Sequence, residues 1–191
     1  TTQALVEIGG QCWMRYNMNV APSTGLSSYY TGGPYTNEGR LYNWTAAMNG
    51  STAERAQGIC PSGWHIPSDC EWKYLEYTLG MNTTDQNASG GFRGNTGLKL
   101  SNSITNGTNS SGFMALLTGY LFTDGKYYAR GSQTHWWTSS QTTSSNASFS
   151  KISSCTASSC FFEVDFFGFL SLCLQFLATT LIENPTLLGS L

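Results

Sequence analysis

Two histidines, His65 and His135, and eleven carboxylates are the groups from which acid–base chemistry could be built in this chain of 191 residues. General-base and nucleophilic catalysis need a base held beside a nucleophile, and histidine is the usual choice. His65 stands in Trp64-His-Ile-Pro67, directly before a helix start, which points to a packed, hydrogen-bonded residue rather than a catalyst. His135 lies next to a long Ser/Thr-rich stretch with no supporting motif. No two carboxylates pair within a motif, so the acid and base of a glycosidase have no candidates. The six cysteines (Cys12, Cys60, Cys70, Cys155, Cys160, Cys173) contain no C-x-x-C and no metal-like spacing. They are even in number and could form three disulfides, but a chain of this length can bury a core without them. No metal, no cofactor and no enzymatic activity are expected.

Composition narrows the classes further. Only 10% of residues are charged, against roughly 25% in ordinary soluble domains. The net charge is -2 and no basic run exists, so a nucleic-acid backbone has nothing to bind. Aromatics make up 14%, which argues against disorder. Tyr and Trp set among Ser, Thr, Asn and Gly are the residue types of recognition surfaces, where rigid rings give area and small polar groups adapt. N-x-S/T sequons begin at Asn43, Asn49, Asn82, Asn87, Asn106, Asn109 and Asn146, as an Asn/Ser/Thr-rich chain produces by chance. No signal peptide opens the sequence, so an exported chain would have shed it or used another route. Residues Phe166 to Ile182 are mostly apolar but interrupted by Ser171, Gln175, Thr179 and Thr180, and read as buried strands rather than a membrane span.

The elements that must position these groups are short. Val6 to Tyr16, broken at Gly9-Gly10, reads as an opening strand or hairpin. Ala21 to Gly39 reads as loop, and Leu41 to Met48 as a short helix ended by Asn49-Gly50. Ser68 and Glu71 form an S-x-x-E capping box, and Trp72, Leu75 and Leu79 recur at helical spacing. With Gly80 as the stop, a helix is predicted over Asp69 to Leu79. Met81 to Ser111 reads as a long surface loop. Asp124-Gly125 predicts a type I′ hairpin between Gly119 and Ala129. Trp136 to Ser140, Phe161 to Val164 and Phe169 to Leu174 read as strands. Helices early and short strands late give an α+β domain over residues 1–191. Trp44, Trp64, Trp72, Trp136 and Trp137 are assigned to the core.

Five segments in order carry a resemblance: Ile8-Gly-Gly-Gln-Cys-Trp-Met14, Leu41-Tyr-Asn-Trp44, Gly58-Ile-Cys-Pro-Ser-Gly-Trp-His-Ile-Pro-Ser-Asp69, Ser111-Gly-Phe-Met-Ala-Leu116 and Trp136-Trp-Thr-Ser-Ser140. Together they resemble the Fibrobacter major paralogous domain, a branch of the C-type-lectin-like fold, from about residue 8 to 174. The resemblance implies a mixed twisted sheet with two short helices and long irregular loops. Gly168-Phe-Leu-Ser-Leu-Cys173 keeps the Gly-Phe and Cys of that pattern's closing strand but lacks its Arg. The Glu-Pro-Asn, Gln-Pro-Asp and Trp-Asn-Asp tripeptides of calcium-dependent sugar sites are absent from the sequence.

Domains of this kind serve as variable proteins of diversity-generating retroelements, a group that includes the phage major tropism determinant. Adenine-directed mutagenesis there turns Asn codons into a restricted set of residues. Between Thr142 and Phe167 only Lys151 and Glu163 fall outside that set. The resemblance therefore implies a variable region at about 132–174. Its contact residues would be Gln133, Thr134, His135, Thr142, Thr143, Ser144, Ser145, Ser148, Phe149, Ser150, Ile152, Ser153, Ser154, Cys155, Thr156, Ser158, Ser159, Cys160, Phe161, Phe162 and Asp165. The implied partner is a protein or glycan on a cell surface, met outside the cell, on a cell surface or on a virion, by a homo-oligomer or multivalent array. A non-diversified surface or glycan-binding domain of the same fold is the alternative. A formylglycine-generating type of enzyme ranks below both, since Cys155 and Cys160 lack a supporting motif.

Overall fold

Gly9 and Gly10 set the first turn. The structure, a computed structural model, describes residues 5–33, 35–88, 94–101 and 107–141, and the backbone of Ala147–Ser153, Ser159–Phe161 and Leu174–Phe176. Strands β1 (Leu5–Ile8) and β2 (Gln11–Met14) pair antiparallel with Ile8 opposite Gln11. That register leaves a two-residue loop in which both glycines have positive φ, 61° and 76°. This is the type I′ geometry that matches strand twist. β2 is buried at all four positions: β10 (Leu174–Phe176) pairs along its other edge, and Trp13 and Met14 enter the two cores. The strand expected over Phe169 to Leu174 falls mostly outside the described residues, and the described strand begins at Leu174.

The segment Leu41 to Met48 divides where a single helix was expected. Leu41–Tyr42 is strand β4, paired with β3 (Ser27–Ser28), and only Trp44–Ala47 is helical, as α1. Asn43 causes the division, since its side chain accepts from both the Ala46 and Leu26 amides, at 2.9 and 3.0 Å. A 3-10 turn at Tyr35–Glu38 precedes β4.

Helix α2 (Asp69–Thr78) carries the capping box in full: Ser68 Oγ accepts from the Glu71 amide, and the Glu71 carboxylate accepts from the Ser68 amide. At the other end the amides of Gly80 and Met81 donate to the carbonyls of Tyr77 and Glu76, a Schellman closure. Trp72 and Leu75 face inward. Ser68→Ala is expected to cost about 1 kcal/mol, read as a lower urea midpoint at unchanged slope; an unmoved midpoint would count against the cap.

Met81 to Ser111 is not wholly loop. Among its described residues are two single-turn helices, α3 (Thr83–Gln86) and α4 (Gly97–Leu100). Asn82 caps α3 by accepting from Asp85, and α4 exists to bury Leu100, which is 1% exposed. Neither is long enough to show a period in the sequence.

The next hairpin, β5 (Tyr120–Leu121) with β6 (Tyr127–Tyr128), turns differently from expectation. The Phe122 amide donates to Lys126 O and the Gly125 amide to Phe122 O, leaving a three-residue loop. Only Gly125 has positive φ there, so the loop is a type I turn closed by a left-handed glycine rather than type I′. Asp124 favours this form because its carboxylate accepts from the Lys126 amide at 2.9 Å and the Tyr128 hydroxyl at 2.7 Å.

The last sheet is β7 (Gln133–Gln141), β8 (Ala147–Ser153) and β9 (Ser159–Phe161), antiparallel in that order. Successive side chains on a strand point to opposite faces, and β7 uses both. Trp136 enters one core with Trp13, Trp72, Leu75 and Phe113, while Trp137 enters a second with Met14, Met18, Tyr42 and Ile66. Trp72, Trp136 and Trp137 are core residues as assigned; Trp44 and Trp64 are only partly buried, and Trp13, not singled out by the sequence, is fully buried. Small sheets and few helices among the described residues make a mixed α+β architecture.

Candidate functional site

The described part of the candidate binding segment lies on β7, β8 and β9, with β8 paired to β7 and also set against α2. The β7–β8 register pairs Gln133 with Ser153, Thr134 with Ile152, His135 with Lys151, Trp136 with Ser150 and Trp137 with Phe149. Beyond Trp137 the register shifts, resuming at Gln141 opposite Ala147. β9 continues the ladder, with Ser159 opposite Ile152, Cys160 opposite Lys151 and Phe161 opposite Ser150. The Ser-rich run after Gln141 thus contains a seven-residue strand. The sequence did not announce it, because Ser, Ala and Lys carry little strand preference.

β7 is fixed from behind by the motif that precedes α2. The Trp44 indole donates to Thr138 O, the Ser139 amide donates to Pro67 O, and Ser139 Oγ accepts from the Arg55 amide, all between 2.8 and 2.9 Å. Ser140 Oγ accepts from the Asp69 amide at 3.0 Å and donates to the Glu54 carboxylate. Trp137 Nε1 donates to Tyr42 O at 2.7 Å, and Trp136 Nε1 to Asn17 Oδ1 at 2.9 Å. Trp136-Trp-Thr-Ser-Ser140 and Cys60 to Asp69 are therefore the two halves of one brace.

At the centre of that brace sits Glu71, 5% exposed. Its carboxylate accepts from Arg55 Nε at 2.9 Å, the Ser68 amide at 2.8 Å and Ser68 Oγ at 3.0 Å. His65 Nε2 lies 3.0 and 3.2 Å from its two oxygens. Burial pushes the Glu71 carboxyl up, but the hydrogen bonds from His65 and Ser68 and the charge of His65 outweigh it and hold the group below its ordinary value. Four groups surround the buried carboxylate, and through them the His–Glu pair ties the loop before α2 to the helix. Arg55 is the member the sequence did not reveal, since it lies in a loop sixteen residues before Glu71.

The implied contact residues are distributed unevenly. Gln133 is half-buried at the head of β7. Thr134 and His135 are 0% and 3% exposed, which removes them from any outward surface. The reason is that β7 is covered on both faces: the Tyr120 ring stacks on His135 with centroids 4.7 Å apart, and Thr134 Oγ1 meets Thr118 Oγ1 at 3.2 Å. Ser148, Phe149, Ser150, Ile152 and Ser153 lie on β8; Ser159, Cys160 and Phe161 lie on β9. Thr142, Thr143, Ser144, Ser145, Ser154, Cys155, Thr156, Ser158, Phe162 and Asp165 lie outside the described residues.

The cysteines do not make three disulfides. Cys60 is disulfide-bonded, whereas Cys12 and Cys70 are free. Burial, with the charge of Glu7 opposite it in the hairpin, pushes the Cys12 thiol up and makes it unreactive. Among the described residues no group of three or more His, Cys, Asp or Glu side chains could hold a metal. Among the same residues no helix is long and apolar enough to cross a membrane.

The sequence profile of the Fibrobacter succinogenes major domain family matches residues 6–164, from the first hairpin through β9. The chain belongs to that family. The family's span takes in both halves of the brace and the whole β7–β8–β9 ladder. No curated protein and no solved structure matches the chain.

Proposed function

We propose that the chain is a ligand- or receptor-binding module of C-type-lectin-like fold, without enzymatic activity, whose segment at about 132–174 is diversified by a retroelement over a fixed scaffold. The observation that carries this reading is the β7–β8–β9 ladder. β7 is buried and braced, β8 pairs along it by backbone hydrogen bonds and also lies against α2, and β9 pairs along β8. Backbone pairing survives a change of side chain, so side chains on β8, on β9 and between them can vary while the framework stays put. With Thr134 and His135 inside, recognition falls to Gln133 and to positions from Thr142 onward. A protein or glycan on a cell surface is the partner class, met outside the cell, on a cell surface or on a virion. Multivalent display would raise a modest single-site affinity.

The test is a library at Thr142, Thr143, Ser148, Ser150, Ser153, Thr156 and Ser158. The reading requires these positions to face outward, where a substitution usually costs within about ±0.5 kcal/mol, so most members are expected to fold, with thermal midpoints near the parent's. Displayed as multivalent arrays against bacterial cell-envelope preparations, they are expected to differ in which envelopes they bind. A library in which most members fail to fold would make the segment ordinary core and end the reading. A second, independent check is genomic: a near-copy of the coding segment for residues 132 to 174, differing only at adenines, beside a reverse-transcriptase gene.

A further inference from the structure

A cleft of about 200 Å³ lies between the segment Leu116–Thr118, the turn at Arg130–Gly131 and Glu38. One wall is an ion pair. Arg130 Nε donates to Glu38 Oε2 at 3.1 Å, and Arg130 Nη2 donates to Glu38 Oε1. The guanidinium carbon lies over the Tyr35 ring, 3.6 Å from its centroid, a cation–π contact that helps hold it. The lining also includes Leu116, 39% exposed, beside the buried Leu117.

A guanidinium has five N–H donors, and Glu38 uses two of them. The outer edge of the pair therefore presents three further donors, and each carboxylate oxygen keeps a second acceptor site. These groups line the same cleft as an exposed apolar side chain, Leu116. Such a wall discriminates by chemistry. An anion meets the Glu38 charge, a cation meets that of Arg130, and a wholly apolar ligand would strip water from the pair without replacing it. A ring bearing adjacent hydroxyls, each both donor and acceptor, satisfies the polar edge while its C–H face covers Leu116.

We propose that this cleft binds one ring of a neutral saccharide, through the Glu38–Arg130 edge on its hydroxyls and Leu116 on its apolar face. The site uses no metal. It is independent of the diversified segment, because none of its lining residues lies on β8 or β9.

The experiment is a titration of the full ¹⁵N-labelled chain with the methyl glycosides of glucose, galactose and N-acetylglucosamine, in the presence of a chelator. Saturable shifts are expected at Arg130 Nε–H and at the Gly131 and Thr118 amides, with Kd roughly millimolar for a single ring. Arg130→Lys keeps the charge but loses the planar fork, and Leu116→Ser removes the apolar wall. Each is expected to weaken binding about tenfold, the size of one lost charge-assisted bond for Arg130→Lys and of one lost apolar contact for Leu116→Ser. Should Arg130→Lys fail to fold, Leu116→Ser, at an exposed position, still decides the matter. Shifts that are absent or confined to β7–β9 would overturn the proposal. So would equal shifts with sodium acetate or methylammonium chloride, or full-strength sugar binding by the folded variants.

Discussion

Trp72→Ala is expected to lower the unfolding free energy by about 3–5 kcal/mol, enough to leave a protein of ordinary stability close to unfolding. Trp72 is 1% exposed and sits at the meeting point of three other rings. Trp13 lies 4.8 Å away, Trp136 is stacked at 5.6 Å, and Phe113 is at 6.1 Å between centroids. These rings come from β2, β7 and the segment after α4, so the indole is what α2 contributes to joining them. Its loss opens a cavity that rigid aromatic neighbours cannot collapse into, and cost rises with the cavity that remains. Trp72→Phe sharpens the expectation. The buried Trp72 Nε1–H has no hydrogen-bond partner, so phenylalanine removes an unsatisfied donor along with part of the volume. Urea unfolding is expected to place Trp72→Phe well above Trp72→Ala, with both below the parent. Equal midpoints for Trp72→Ala and the parent would show that the ring cluster is not the core.

Glu71→Ala is expected to cost about 3 kcal/mol at neutral pH, because it strands buried partners of a buried carboxylate. The half-exposed Arg55 contributes little to this, its side chain being 50% accessible and its charge screened. The loss falls on His65 and on the Ser68 amide and hydroxyl. Glu71→Gln keeps an acceptor at the same place and is expected to cost less. The pH dependence has a definite sign. The carboxyl is held below its ordinary value of 4.5 in the folded protein, so its contribution is complete above about pH 4.5 and disappears as pH falls through the lower folded value. The gap between parent and Glu71→Gln is therefore expected to narrow below pH 4.5 and not to grow. Chemical denaturation at stepped pH checks this; a gap that widens on acidification would contradict the bracing role. Loss of Glu71 is also expected to loosen Ser139 and Ser140, since the Arg55 amide donates to Ser139 and the Asp69 amide to Ser140. Faster amide exchange at those two residues would report it.

The elements legible from sequence are those whose causes act within a few residues. Ser68 and Glu71 fix the start of α2 and Gly80 its end, because a helix terminus must satisfy its own amides and carbonyls locally. Gly9-Gly10 fixes the first hairpin, because the positive φ that a two-residue turn needs costs glycine nothing. The same rule misread Asp124-Gly125, where the Asp124 carboxylate holds the Lys126 amide and selects a three-residue loop. Asn43 splits Leu41 to Met48 for a comparable reason, through a bond to Leu26 that spacing does not display.

What the tertiary structure alone decided lies at long range. Trp136 and Trp137 read as one aromatic pair, yet the alternation of a strand covered on both faces sends them into different cores. That same covering takes Thr134 and His135 out of the contact surface. Glu71 read as a helix cap, and only folding brings Arg55 and His65 onto it. β8 was invisible because Ser, Ala and Lys suit a loop as well as a strand, so it becomes a strand only when β7 offers it a ladder. Sequence determines structure locally where a backbone group must find its partner nearby. Where partners are some 70 to 120 residues apart, as for Asp69 with Ser140 and Asn17 with Trp136, polar side chains are permissive, and the choice belongs to packing.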